Sequence, residues 1–139
     1  MINHIYRYVG CFFPQEDLST YIRPLNCSPL AKLIACPHIT FSYKPEFVDE
    51  SLFGEKLIVR AVGYGNDGRN EGLKVELVSA SPKLAEAFQN IAVPHITLSI
   101  SNDAEPVNTR YLVFDAIEPF ELTGVYGGYV VETGKAVTE

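Results

Sequence analysis

Ala35-Cys36-Pro37-His38-Ile39-Thr40-Phe41-Ser42 and Ala92-Val93-Pro94-His95-Ile96-Thr97-Leu98-Ser99 are one stretch written twice. Six of the eight positions are identical, and two of the chain's three histidines fall at the same place in the repeat. Both copies alternate His, Thr and Ser with Ile and a larger apolar residue, the period of a strand with one apolar face. In a strand, His and Thr two positions apart share a face, and the Ile between them points to the other. Each copy therefore offers an imidazole and a hydroxyl side by side, anchored from behind by a core isoleucine. If the two strands lie together in a sheet, His38, Thr40, His95 and Thr97 converge on one groove. Ser42 and Ser99 are expected on the same face, further along.

The remaining elements follow from composition and turn chemistry. Ile5 to Phe13 is rich in β-branched and aromatic residues and ends at Pro14, as a first strand would. Helices are expected over Gln15–Ile22 and from about Pro29 to Leu33, the first ending before Pro24. Ser81 to Asn90 reads as a capped helix, with Ser81 as N-cap, Pro82 in the first turn, and Leu84, Ala85 and Phe88 on one face. Lys56–Val62 and Leu73–Val78 read as strands joined through the turn-rich stretch Gly63 to Gly72. Strands at Tyr111–Phe114 and Phe120–Val131 complete the chain, with fraying expected from Thr133. The expected class is α+β, with seven or eight strands and no linker dividing residues 1–139.

The balance is acidic, with a net charge of −6. Proteins that grip long nucleic acid do so with basic surfaces that displace counterions, so duplex DNA is not an expected partner. A small nucleotide or an RNA end needs only a few local groups. Three cysteines without a C-x-x-C pair argue against a disulfide framework and for buried thiols in a reducing compartment. No stretch resembles a signal peptide, and no apolar run reaches the roughly 18 residues of a membrane span. The expectation is a cytoplasmic monomer that does not meet a membrane.

Two imidazoles facing one groove suit the hydrolysis of a phosphodiester. One neutral ring removes a proton from the attacking water, and the other, protonated, delivers one to the leaving oxygen. Threonine hydroxyls hold the non-bridging oxygens as charge grows there. Two histidines alone do not complete a zinc set of three or four ligands, and Thr stands at the same-face position where a ligand would be needed. No metal or other cofactor is expected.

Two H-x-T motifs, each on a strand and each followed by a hydrophobic and a small residue, resemble those of the 2H phosphoesterase superfamily. That superfamily includes RNA ligase-like cyclic phosphodiesterases and phage enzymes that degrade cyclic nucleotide signals. The resemblance implies a bilobal, pseudo-symmetric α+β sandwich with one motif per lobe and catalysis without a metal. It carries over to His38 and Thr40, to His95 and Thr97, and more weakly to Ser42 and Ser99. The implied substrates are 2′,3′-cyclic phosphate ends, cyclic di- or trinucleotides, and 2′–5′ linkages. Which histidine is base and which is acid stays open, because the assignment swaps with the direction of the substrate. Two other readings are a module that sequesters a nucleotide without cleaving it, and a factor that processes tRNA or other RNA ends.

Further residues are candidates for contact with substrate. Tyr126 and Tyr129 flank Gly127 and Gly128, where small residues let a ligand approach, and the resemblance, which implies an aromatic residue stacked on the base, makes either a candidate for that role. Gly63-x-Gly65-x-x-Gly68 matches a dinucleotide fingerprint only on paper, since a strand and not a helix follows. It reads as a glycine-rich turn or as a flap bringing Tyr64 or Arg69 to the groove. Tyr43 shares the parity of Ile39 and is expected to pack. Lys44 and Arg110 could add positive charge near a phosphate but read first as solvated surface residues, and His4 reads as surface.

Overall fold

The computed structural model describes residues 5–25, 27–34 and 36–139; His4 and the first residue of the first repeat copy, Ala35, lie outside them. Eight strands make up one antiparallel sheet: β1 (Tyr6–Phe12), β2 (Lys32–Leu33), β3 (His38–Tyr43), β4 (Lys56–Asn66), β5 (Asn70–Ser79), β6 (His95–Ile100), β7 (Asp115–Val130) and β8 (Lys135–Val137). The order is β2-β6-β5-β4-β7-β1-β3. β1 pairs with β7 along one edge, while β4 and then β8 occupy the other. With α1 (Gln15–Ile22), α2 (Pro82–Gln89) and short 3₁₀ turns, the class is α+β. β3 and β6 share no ladder, yet the sheet curls until they come within 8 Å of each other, Cα to Cα.

The core lies on one face of this sheet. Ile39 and Ile96, the central residues of the two repeat copies, are fully buried in it. Val9, Cys11, Val59, Leu73, Val75 and Leu122 join them, with Leu18 of α1 and Leu84 and Phe88 of α2. Burying each isoleucine contributes about 1.5–3 kcal/mol, so the far side of each His-x-Thr pair is held firmly. Ser81 caps α2 as expected, its hydroxyl accepting from the Leu84 amide at 3.4 Å.

The two repeat copies keep the same register with their neighbours. Thr40 pairs with Gly10 and His38 with Phe12; Thr97 pairs with Gly72 and His95 with Lys74. In both ladders the next pair skips a residue, Ser42 meeting Val9 and Ser99 meeting Glu71. Phe41 and Leu98 are therefore bulged residues at one repeat position. The glycines belong to this design. A Cβ on Gly10 would collide with the Ile39 carbonyl oxygen, and one on Gly72 would lie 2.9 Å from the Ile96 carbonyl oxygen and against Thr109.

Several expectations are corrected. Residues 29–31 are not helical, and Lys32–Leu33 is a short strand on the edge of β6, because the segment is latched to β6 by its backbone. β4 and β5 run through the glycine-rich stretch, leaving a turn at residues 67–69 with Gly68 at φ 84°. The strand expected over Tyr111–Phe114 is absent: Pro106–Tyr111 form a 3₁₀ segment, β7 starts at Asp115 instead of Phe120, and the tail pairs as β8 instead of fraying. Tyr43, past the bulge and beyond the core's edge, is 62% exposed.

Replacing Gly10 by Ala should lower stability by about 1–3 kcal/mol, the usual cost of overpacking, read as an earlier urea midpoint. A change at Gly10 within error of zero would contradict the close approach.

Candidate active site

The repeat's local geometry settles what each histidine can do. The Nδ1 of His38 lies 2.9 Å from the Cys36 carbonyl oxygen, and the Nδ1 of His95 lies 2.7 Å from that of Val93. Each partner is the residue two positions earlier, across the repeated proline. A carbonyl only accepts, so Nδ1 carries the hydrogen in both rings. That leaves Nε2 of each neutral ring with a free lone pair. Neither Nε2 has a partner among the described residues, and no buried side-chain nitrogen or oxygen lacks one there, so both Nε2 atoms are open to solvent.

With β3 and β6 brought within 8 Å, the two rings feel one another, since the charge of His95 disfavours protonation of His38. Burial is the larger cause and pulls both imidazoles below their ordinary value of 6.5. The hydrogen bonds to Cys36 and Val93 oppose that shift. For His95, the Arg110 guanidinium lowers the value further.

The surroundings of the two rings differ. His38 lies in an aromatic column: the Tyr8 ring stacks on it at 4.3 Å and 16°, and Tyr129 stacks on Tyr8 at 5.2 Å and 13°. Phe12 tilts against it at 5.8 Å. His95 has cations instead, Lys74 opposite it in the ladder and Arg110 from the 3₁₀ segment.

The threonines differ too. The Thr40 hydroxyl has no hydrogen-bond partner among the described residues and stays accessible. That of Thr97 is buried, 2.8 Å from the Thr109 hydroxyl and 3.3 Å from the Pro106 carbonyl oxygen. Thr109 in turn accepts from the Asn70 amide at 3.1 Å.

The other candidates from the sequence do not gather here. Because Phe41 and Leu98 are bulged, Ser42 and Ser99 pair with Val9 and Glu71, which point to the opposite face from Gly10 and Gly72. The expectation of a common face therefore fails for both serines. Ser42 is exposed, while Ser99 is fully buried and donates to Glu71 at 2.7 Å. Tyr64 donates to the other oxygen of Glu71 and accepts from the Ser28 amide, so it belongs to this buried cluster and not to a flap. Arg69 pairs with Asp103 at 3.5 Å, an exposed contact at the turn. Tyr126 faces the core, edge-on to Phe41 and Phe53. Of the two glycine-flanked tyrosines, only Tyr129 stands on the histidine side.

Sequence reasoning passed over Tyr8, Lys74 and Thr109. Period-two parity could have placed Tyr8 with Phe12, opposite Val9 and Cys11, but nothing marked β1 as the neighbour of β3. A hollow of about 860 Å³ lies elsewhere, lined by Arg7, Tyr43, Lys44, Phe47 and others, and neither histidine lines it. Among the described residues no three His, Cys, Asp or Glu side chains gather to hold a metal ion, and no helix is long and apolar enough to cross a membrane. No protein-family model matches the chain, and no curated protein matches it.

The lowered imidazoles have a consequence for stability. The unfolded chain binds these protons more tightly than the folded one, so stability is full above about pH 6.5 and falls as the pH drops through the lowered folded values. The depressed carboxylates Asp49, Asp67 and Asp103 act lower still, below 3.8. Urea midpoints between pH 7.5 and 5 should fall with acid, and the fall should be shallower in the double variant His38→Ala/His95→Ala. An identical slope in the variant would contradict the assignment.

Proposed function

We propose that this chain is a phosphodiesterase of the 2H type that needs no metal and cleaves a phosphodiester in a small nucleotide. One observation carries the reading: both copies of His-x-Thr spend Nδ1 on the carbonyl two residues back and keep a free Nε2, on two strands that come within 8 Å of each other. The duplicated register around Gly10 and Gly72 supports a pseudo-symmetric, bilobal arrangement of residues 1–139, one motif per lobe.

A phosphate between the two Nε2 atoms meets a base on one side and an acid on the other. Water is deprotonated by the neutral imidazole as it attacks phosphorus, and the bond to the leaving oxygen breaks as the imidazolium protonates it. Thr40 supplies a free hydroxyl to a non-bridging oxygen. Thr97 can do so by turning from the Pro106 carbonyl, the longer of its two contacts. Lys74 and Arg110 favour an anion on the His95 side. This local charge explains how a chain of net charge −6 can still hold a phosphate. The substrate class comprises 2′,3′-cyclic phosphate ends, cyclic di- or trinucleotides and 2′–5′ linkages, acted on by a cytoplasmic monomer.

A panel of these substrates, assayed in chelator, tests the proposal. Wild type should keep full activity, and His38→Ala and His95→Ala should each lose about 10²–10⁴-fold in kcat/KM. Tight nucleotide binding with no turnover would instead favour a sequestering protein. Full activity in both variants, or activity only with added metal, would overturn the mechanism.

A further inference from the structure

Among the described residues Tyr8 is the one ring that stacks on His38 face to face, and it cannot stack on a substrate. β1 runs between β7 and β3, so Tyr129 and His38 lie against opposite faces of the Tyr8 ring. With both faces covered, its role is internal. Only Gly10 lies between Tyr8 and Phe12 on that face of β1, which leaves room for Tyr8 to lean across the ladder to His38. Its hydroxyl oxygen sits 3.3 Å from Nδ1, beside the Cys36 carbonyl.

These contacts favour the protonated ring. The Cys36 carbonyl oxygen accepts from Nδ1–H, and the π-face of the Tyr8 phenol attracts a cation held over it. The groups facing His38 are Tyr8 and Phe12 of β1, the Cys36 carbonyl, and His95 of β6. Those facing His95 are Lys74 of β5, Arg110 and His38. Burial opposes the charge at both rings, but His38 has an aromatic face against it, whereas His95 meets the charge of Arg110 with Lys74 opposite in the ladder.

Building on the phosphodiesterase reading, we propose that Tyr8 is a positioning residue that orients His38 as the general acid, leaving His95 as the general base. In this polarity His95 Nε2 takes a proton from water as the water oxygen bonds to phosphorus. The phosphorus–oxygen bond to the leaving nucleoside breaks, and His38 Nε2–H protonates that oxygen. His95 then releases its proton to solvent, and His38 regains one from it.

The test compares two substrates that differ in one atom: a nucleotide phosphodiester and the same compound with sulfur as the bridging leaving atom. A thiolate leaves without a proton, so loss of the acid no longer matters, whereas loss of the base still does. Tyr8→Leu should reduce kcat on the oxygen ester by about tenfold or more and leave the sulfur ester within about threefold of wild type. Tyr8→Phe, which keeps the stack, should restore most of the oxygen-ester activity. Equal losses on both esters would reduce Tyr8 to a structural role or a binding contact and overturn the proposal. If Tyr8→Leu does not fold, the histidines decide: the sulfur ester should rescue His38→Ala and not His95→Ala, and the reverse pattern overturns the assignment. Failure of the phosphodiesterase reading looks different, since wild type would then cleave neither ester.

Discussion

The hydrogen bond from Nδ1 of each histidine to the carbonyl two residues before it is the constraint on which the site depends. It uses up one nitrogen of each ring, sets the tautomer and directs the other nitrogen outward. The rest of the repeat serves that bond. The proline between carbonyl and histidine has a fixed φ and no amide hydrogen, so it fixes the path of the chain without competing for the carbonyl. The buried isoleucine after the histidine locks the strand from behind.

A second constraint is the closeness of the neighbouring strands. β1 and β5 approach the repeat strands at Gly10 and Gly72, where a side chain would meet the backbone of the partner. Next to each glycine the repeat strand carries an extra residue, which bends it and increases its twist. The bulge separates the working threonine from the serine two positions on. It turns Ser99 into the buried cluster of Glu71 and Tyr64, which also holds the backbone of Ser28 and Leu30. That cluster ties the segment leading towards His38 to the strands that carry His95. The resulting site is duplicated in its backbone and unequal in its surroundings, aromatic at His38 and cationic at His95.

Much of this is legible in the sequence alone. Period-two alternation and the near-identity of the two copies place His38 with Thr40, and His95 with Thr97, because residues two apart on a regular strand must share a face. The rule stops where regularity does. Ser42 and Ser99 were misplaced because a single bulged residue reverses parity, and neither Phe41 nor Leu98 differs in type from an ordinary strand residue. Tyr8 was overlooked because its importance depends on which strand lies beside β3, a long-range choice with no local signal. The short helix expected near Pro29 failed for a related reason: backbone pairing of residues 32–34 with β6 outweighs local propensity. Tyr64 and Arg69 looked like flap residues because a run of glycines suggests a loop, whereas the two strands extend through it and close in a tight turn.

The most direct measurement is a crystal structure of the protein with a non-hydrolysable phosphorothioate dinucleotide. The account places the phosphorus between the two histidines, with an oxygen or sulfur of the group within about 3 Å of each Nε2 and the Thr40 hydroxyl on a non-bridging atom. A ligand seated in the hollow beside Arg7 and Lys44, with both Nε2 atoms untouched, would contradict it.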